Sequence, residues 1–363
     1  MKMGFSQNTG GAARGIAGNR MDALDIAKGI GIIFVIFAHV NYTPELLVLI
    51  YSFHMPLFFI LSGVMFSREK YPTFRAYAAH RWKNLIVPYL LFSFLSLVYV
   101  FASERLCEFA VDLTKEKYIT SVIQVFLAQG SANVLNTPLW FVPCLLAVEI
   151  MYFYISKLKT CWVIVVCAIL ACCGWVLESG LLAFDNTKLF WSLDSALFAL
   201  SFYATGNILS PYLKRAIHTV KASRHRTWIC IAAFVVCFVI WLPLTLRNGK
   251  ISLGSKVLNN GFLLYLTGTV GTMGILAVSV LLEKCRFLKF LGTNTFCLMS
   301  VHYMIRKFTI PKYYKMLGIK LYSRKVLSET ILPFLIIFAL SVVVTIAYRA
   351  LMNAMAHRRR SLC

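Results

Sequence analysis

Apolar stretches of about twenty residues, the length that crosses a bilayer as a helix, recur along this chain from residue 22 to residue 350. Ten can be read, at 22–40, 46–66, 85–103, 138–157, 161–178, 190–209, 228–246, 260–282, 293–310 and 330–350. A bilayer offers no water to satisfy backbone N–H and C=O groups, so segments this long must close their hydrogen bonds internally as helices. Apolar residues make up 59% of the sequence and mean hydropathy is +0.73, against about 45–50% apolar in soluble domains. The expected fold is therefore all-α: a polytopic integral membrane bundle of about ten transmembrane helices. The ninth stretch is the least regular, because Thr293, Asn294, Thr295, His302 and Arg306 interrupt it. Nine spans, or a re-entrant ninth, is the other arrangement these residues allow. No internal repeat relates one half of the chain to the other, as paired transporter halves would require.

The formal net charge of +23 suggests nucleic acid until the basic residues are placed. They gather in alternate loops, among them 67–84 with Arg68, Lys70, Arg75, Arg81 and Lys83, and 210–227 with Lys214, Arg215 and Lys221. The loops at 104–120 and 178–194 are mixed or acidic. This is the positive-inside distribution, which puts both termini in the cytoplasm and explains the charge with no nucleic-acid partner. Residues 1–21, Gly- and Asn-rich, read as a flexible cytoplasmic leader, and 351–363, ending near Arg358-Arg359-Arg360, as a basic cytoplasmic tail. One loop departs from the pattern. Ten spans would put the basic stretch 306–325 outside, so either the count is off by one there or this is an extracytoplasmic patch suited to an anionic glycan or anionic lipid headgroups. The eleven cysteines are scattered, mostly within spans and without CxxC spacing. They read as packing residues, and no metal site is expected.

The first span begins with charge and ends on a histidine. Between Lys28 and His39 the residues from Ile30 to Ala38 are all non-polar. Eleven residues of helix bring His39 back to within about 20° of Lys28 and about 16 Å further along. One helix face thus carries a cation at one end and an imidazole at the other, and ionisable groups in a span usually mark a functional path. Asp25, three residues before Lys28, is expected to pair with it. The second span opens Tyr51-Ser52-Phe53-His54-Met55-Pro56. Span one ends where span two begins, so His54 and His39 should share a depth, and two imidazoles there favour a general-base site. A histidine bonded to a neighbouring helix is the equally weighted reading of His54. Arg81 and Lys83, ahead of the third span, read by themselves as stop-transfer flanks. Glu149 in the fourth span needs a partner if buried, and His302 reads as structural.

Taken in order, these segments resemble the membrane-bound acyltransferase-3 family, in particular its fucose 4-O-acetylase-like branch of sugar O-acetyltransferases. The likeness rests on Asp25-x-x-Lys28-Gly29 with His39 eleven residues after Lys28, and on Ser52-Phe-His-Met-Pro-Leu-Phe-Phe-x-Leu-Ser-Gly63. It continues in the basic segment before Pro88-Tyr89, in Pro138-Leu-Trp-Phe141, and in the late Leu291-Gly-x-Asn294…His302. It implies a transmembrane acyltransferase domain over 22–350 in the cell inner (plasma) membrane. That domain would move an acetyl group from cytoplasmic acetyl-CoA to a sugar hydroxyl of a surface polysaccharide or its lipid-linked precursor. Its partners would be acetyl-CoA, the glycan acceptor and the lipid bilayer, with no permanently bound cofactor. The family's Arg-x10-His signature maps onto Lys28 and His39, where lysine keeps the charge but not the bidentate grip on phosphate. Lys28, Arg81 and Lys83 would hold the CoA phosphates. His39 would act as general base, or carry the acyl group transiently, with His54 orienting the acceptor. The rival reading is a multi-pass transporter or flippase, since intramembrane His, Glu and Lys also build proton paths.

Overall fold

The computed structural model describes residues 21–40, 43–106, 115–129, 136–178, 189–253, 257–316 and 327–361. Among them every extended element is helical, and the only β pairing is an isolated bridge between Ser252 and Val257. Among the described residues eight helices are long and apolar enough to cross a membrane, and each falls on one of the ten expected stretches. The other two stretches fall on long helices that carry more polar residues, Leu193–Ala222 with Asn207 and Lys214, and Thr295–Met316 with His302, Arg306 and Lys307.

The first span is α1, Asp22–Val40. The second is broken into α2, Pro44–Tyr51, and α3, His54–Met65. The break has a local cause: Pro56 has no N–H to give the carbonyl of Ser52, and its ring crowds that carbonyl. His54 sits at the break, and its Nδ1 lies 2.8 Å from the carbonyl of Ile50. Helices α4, Phe74–Arg81, and α5, Val87–Leu106, are joined through a π-helical turn at Trp82–Ile86. Then follow α6, Lys115–Leu127, and α7, Phe141–Ile155, the latter entered through a 3-10 turn at Thr137–Trp140. After these come α8, Thr160–Glu178, α9, Leu193–Ala222, α10, Arg226–Asn248, and α11, Gly261–Leu281. The bundle closes with α12, Arg286–Thr293, α13, Thr295–Met316, and α14, Leu327–Ser361. Helix α14 runs on through the basic tail, so residues 351–361 continue the last span as helix.

Two crossings fix the frame, and each is made by a reciprocal pair of glycines. Where α1 meets α12, a Cβ on Gly29 would fall on the carbonyl oxygen of Leu288, and one on Gly292 on that of Asp25. Where α3 meets α9, a Cβ on Gly63 would fall on the carbonyl of Tyr203, and one on Gly206 on that of Ile60. Such backbone-to-backbone approach is how membrane helices associate when apolar burial gives no net driving force.

These contacts also give relative direction. Asp25 meets Gly292 and Asp22 pairs with Lys289 at one end, while the rings of His39 and His302 meet at the other. Helix α1 and the α12–α13 pair therefore run parallel. The basic stretch begins at Arg306, four residues after His302, and so at the His39 end of the bundle. Of that stretch, residues 317–326 lie outside the described residues, as does most of the expected leader.

Candidate active site

A cavity of about 450 Å³ runs through the bundle, and Lys28, His39, His54 and Arg81 all line it. Such a volume is ordinary for a small-molecule site. Its length follows α1, whose Lys28 and His39 mark the two ends.

At the first end the Nζ of Lys28 lies 3.1 Å from the Sδ of Met65, the last residue of α3. Lys70, Tyr71 and His80 line the same end. Arg81 sets one nitrogen 2.9 Å from Glu149 Oε1, with side-chain exposures of 21% and 2%. The guanidinium also lies 5.1 Å from the centre of the Tyr77 ring. Glu149 thus finds the partner its burial demands, and Arg81 meets the cavity already neutralised. The pair is asymmetric. Removing Arg81 strands a carboxylate cut off from water, whereas removing Glu149 leaves a guanidinium that still reaches solvent. Arg81→Gln is expected to cost about 3–5 kcal/mol of stability and Glu149→Gln clearly less, measured as melting temperatures of the purified protein in one detergent.

Lys83 is not brought to the cavity. It is exposed on the outside of the π-helical turn, because two residues of helix turn a side chain about 200° from Arg81. The side chains that join Lys28 instead are the cation Lys70 and the imidazole of His80, which the sequence offers only as members of a basic loop.

The middle is apolar, walled by Val35, Phe58, Trp140 and Phe141. The 3-10 turn that carries Pro138 and Trp140 enters here, and Pro138 and Trp140 are both buried. Ser252 and Leu253 also reach the wall, from the connection between α10 and α11. The Oγ of Ser195 holds that connection at the carbonyl of Leu253, 2.8 Å away.

At the far end His39 and His54 share the cavity with Tyr51 and Thr137. The rings of Tyr51 and His54 are 5.0 Å apart. A carbonyl only accepts, so the Nδ1 of His54 must donate to Ile50, which leaves the lone pair of the neutral ring on Nε2. Beside His39 stand the rings of His302, at 5.2 Å, and of Tyr303, at 5.7 Å. The hydroxyl of Tyr303 is 3.1 Å from the Oγ1 of Thr137. His302 was not legible as part of this cluster. Only the packing of the ninth span against the first brings it there, and no spacing within one segment reports that. Among the described residues no group of three or more His, Cys, Asp or Glu side chains is placed to hold a metal ion, and the nine described cysteines are free thiols.

One cavity thus joins a cation-lined end, an apolar middle and an imidazole-lined end. The model of one protein family, described as an acyltransferase domain, matches residues 21–350. The chain belongs to the acyltransferase-3 family. No curated protein and no solved structure gives a significant match. The match takes in the whole bundle up to residue 350 of α14, so the cavity lies inside the acyltransferase domain, and the chain is a polytopic membrane acyltransferase.

Proposed function

We propose that this acyltransferase carries an acetyl group from cytoplasmic acetyl-CoA to a sugar hydroxyl of a surface polysaccharide or its lipid-linked precursor, as the fucose 4-O-acetylase-like branch would. The observation that carries this reading is the continuity of one cavity from Lys28 to His39 and His54. The positive-inside distribution supports a plasma-membrane protein with both termini, and so the Lys28 end, on the cytoplasmic side.

In this reading Lys28 and Lys70 meet the CoA phosphates, and Arg81, held by Glu149, adds hydrogen-bond donors more than charge. The pantetheine arm lies along the apolar middle and sets the thioester near His39. His39 takes the proton of the sugar hydroxyl as its oxygen attacks the thioester carbonyl. The tetrahedral intermediate then expels the CoA thiolate, which takes that proton back from the imidazolium. An acetyl ester and free CoA thiol leave, and the histidine is neutral again. His54, presenting Nε2 as an acceptor, orients the incoming hydroxyl.

The test is transfer of label from radiolabelled acetyl-CoA to surface glycan in membranes that contain the protein. Lys28→Ala should raise the KM for acetyl-CoA about tenfold to a hundredfold, the worth of one charge-assisted hydrogen bond. Lys83→Ala should leave it unchanged. Absence of transfer by the wild type to its native glycan would overturn the reading in favour of a transporter.

A further inference from the structure

His302 is completely buried, and one turn earlier in α13 the carbonyl of Leu298 lies 2.9 Å from its Nδ1. That contact commits the proton to Nδ1 and puts the lone pair of the neutral ring on Nε2. The Nε2 atom is buried and has no hydrogen-bond partner among the described residues. Leaving a buried polar atom without a partner is destabilising. Packing alone would be served better by a phenylalanine, which fills the space with no polar atom. The ring it lies against is that of His39, with centres 5.2 Å apart and planes at 41°. At that separation, rings that each point a nitrogen along the line of centres meet nitrogen to nitrogen at about 3 Å, within hydrogen-bond reach. His302 does not itself line the cavity, so it stands behind His39 as seen by a substrate.

We propose that His302 is the positioning residue of His39. Its Nε2 accepts the N–H of His39, which fixes the His39 tautomer so that the other nitrogen turns its lone pair to the cavity. When His39 takes the proton of the acceptor hydroxyl, the hydrogen bond to His302 spreads the positive charge over both rings. On collapse of the tetrahedral intermediate the proton leaves His39 for the CoA thiolate, and both rings are neutral as at the start. The proposal rests on the acetyl-transfer reading with His39 as base.

The experiment compares wild type, His39→Ala, His302→Gln and His302→Phe, each purified into lipid nanodiscs. The substrates are acetyl-CoA and surface polysaccharide of the source cell, stripped of its acetyl groups by base. Glutamine keeps an oxygen able to accept the His39 N–H but cannot share a proton, and phenylalanine keeps neither. Expected is a loss in kcat of about tenfold for His302→Gln and about 10²–10³-fold for His302→Phe, with the KM for acetyl-CoA within twofold of wild type in both. If the phenylalanine variant does not assemble, His302→Leu takes its place against the glutamine.

Equal losses in both variants with a rising KM would mark a structural residue and overturn the proposal. So would a His302→Phe enzyme within threefold of wild-type kcat while His39→Ala is dead, and that outcome overturns this proposal alone. A wild type without transfer, or a His39→Ala variant that still transfers, overturns the underlying reading and this one with it.

Discussion

Replacing His39 with alanine is expected to lower kcat for acetyl transfer by about 10³–10⁴-fold, the upper part of what a single general base is usually worth, with little change in the KM for acetyl-CoA. The magnitude follows from position. His39 is one of two imidazoles lining the cavity at the end opposite Lys28, and it lies against the rings of His302 and Tyr303. On the proposed reading alanine removes the proton acceptor and leaves the neighbouring rings of His302 and Tyr303 without their partner. The substitution lies about 16 Å of helix from Lys28, so donor binding at the far end should be spared. Transfer of radiolabelled acetyl to surface glycan, measured at matched expression with a parallel titration of acetyl-CoA, separates the two parameters. Survival of transfer would remove His39 as the base and move attention to His54, which lines the same end.

The second large effect is on assembly. Gly292→Val is expected to destabilise the bundle by about 3 kcal/mol or more, at or above the upper end of what overpacking costs. The added atoms would fall on the carbonyl oxygen of Asp25. A backbone on a buried helix has no rotamer by which to yield, so α1 and α12 must part. Parting them moves Lys28, one residue before the partner glycine Gly29. Gly274→Ala is the fitting comparison. There the nearest neighbour of a new Cβ is a side-chain atom of Cys237 at 3.4 Å, an ordinary contact. Detergent-solubilised melting curves should show a large drop for Gly292→Val and a small change for Gly274→Ala. A Gly292→Val protein that melts with the wild type would mean that the α1–α12 crossing does not carry the stability assigned to it.

What could be read from the sequence was whatever a single segment reports. Hydropathy located the helices, and helical spacing placed Lys28 and His39 on one face at opposite ends, as the cavity has them. Pro56 is a residue whose missing N–H disturbs a helix wherever it falls, and the helix breaks just before it. Contacts between distant segments were out of reach. Glu149 was known to need a partner, but only the meeting of α4 with α7 shows that this partner is Arg81. Lys83 stood beside Arg81 in sequence, yet helical rotation turns it outward. His302 read as a packing residue because its neighbour is more than two hundred and fifty positions away in the chain. The basic stretch at 306–325 was ambiguous for a similar reason. Its side of the membrane depends on counting every crossing before it, whereas the pairing of α1 with α12–α13 reports only that these helices run parallel.

The glycine crossing at Gly29 has a bearing on which donors the enzyme accepts. It anchors one end of α1 to a neighbouring backbone, and the helix between Lys28 and His39 is unbroken. The spacing between cation and imidazole is then set by helical rise, not by side-chain reach. Helix α1 is in effect a gauge cut to one length. With Lys28 gripping the donor and His39 as base, as proposed above, a donor satisfies it only if its anionic head and its reactive carbon are joined by an arm of matching extent. Acyl groups on short thiols or on phosphate would touch one end of the gauge and miss the other. Selection among donors would thus be made by the carrier before the acyl group itself is read.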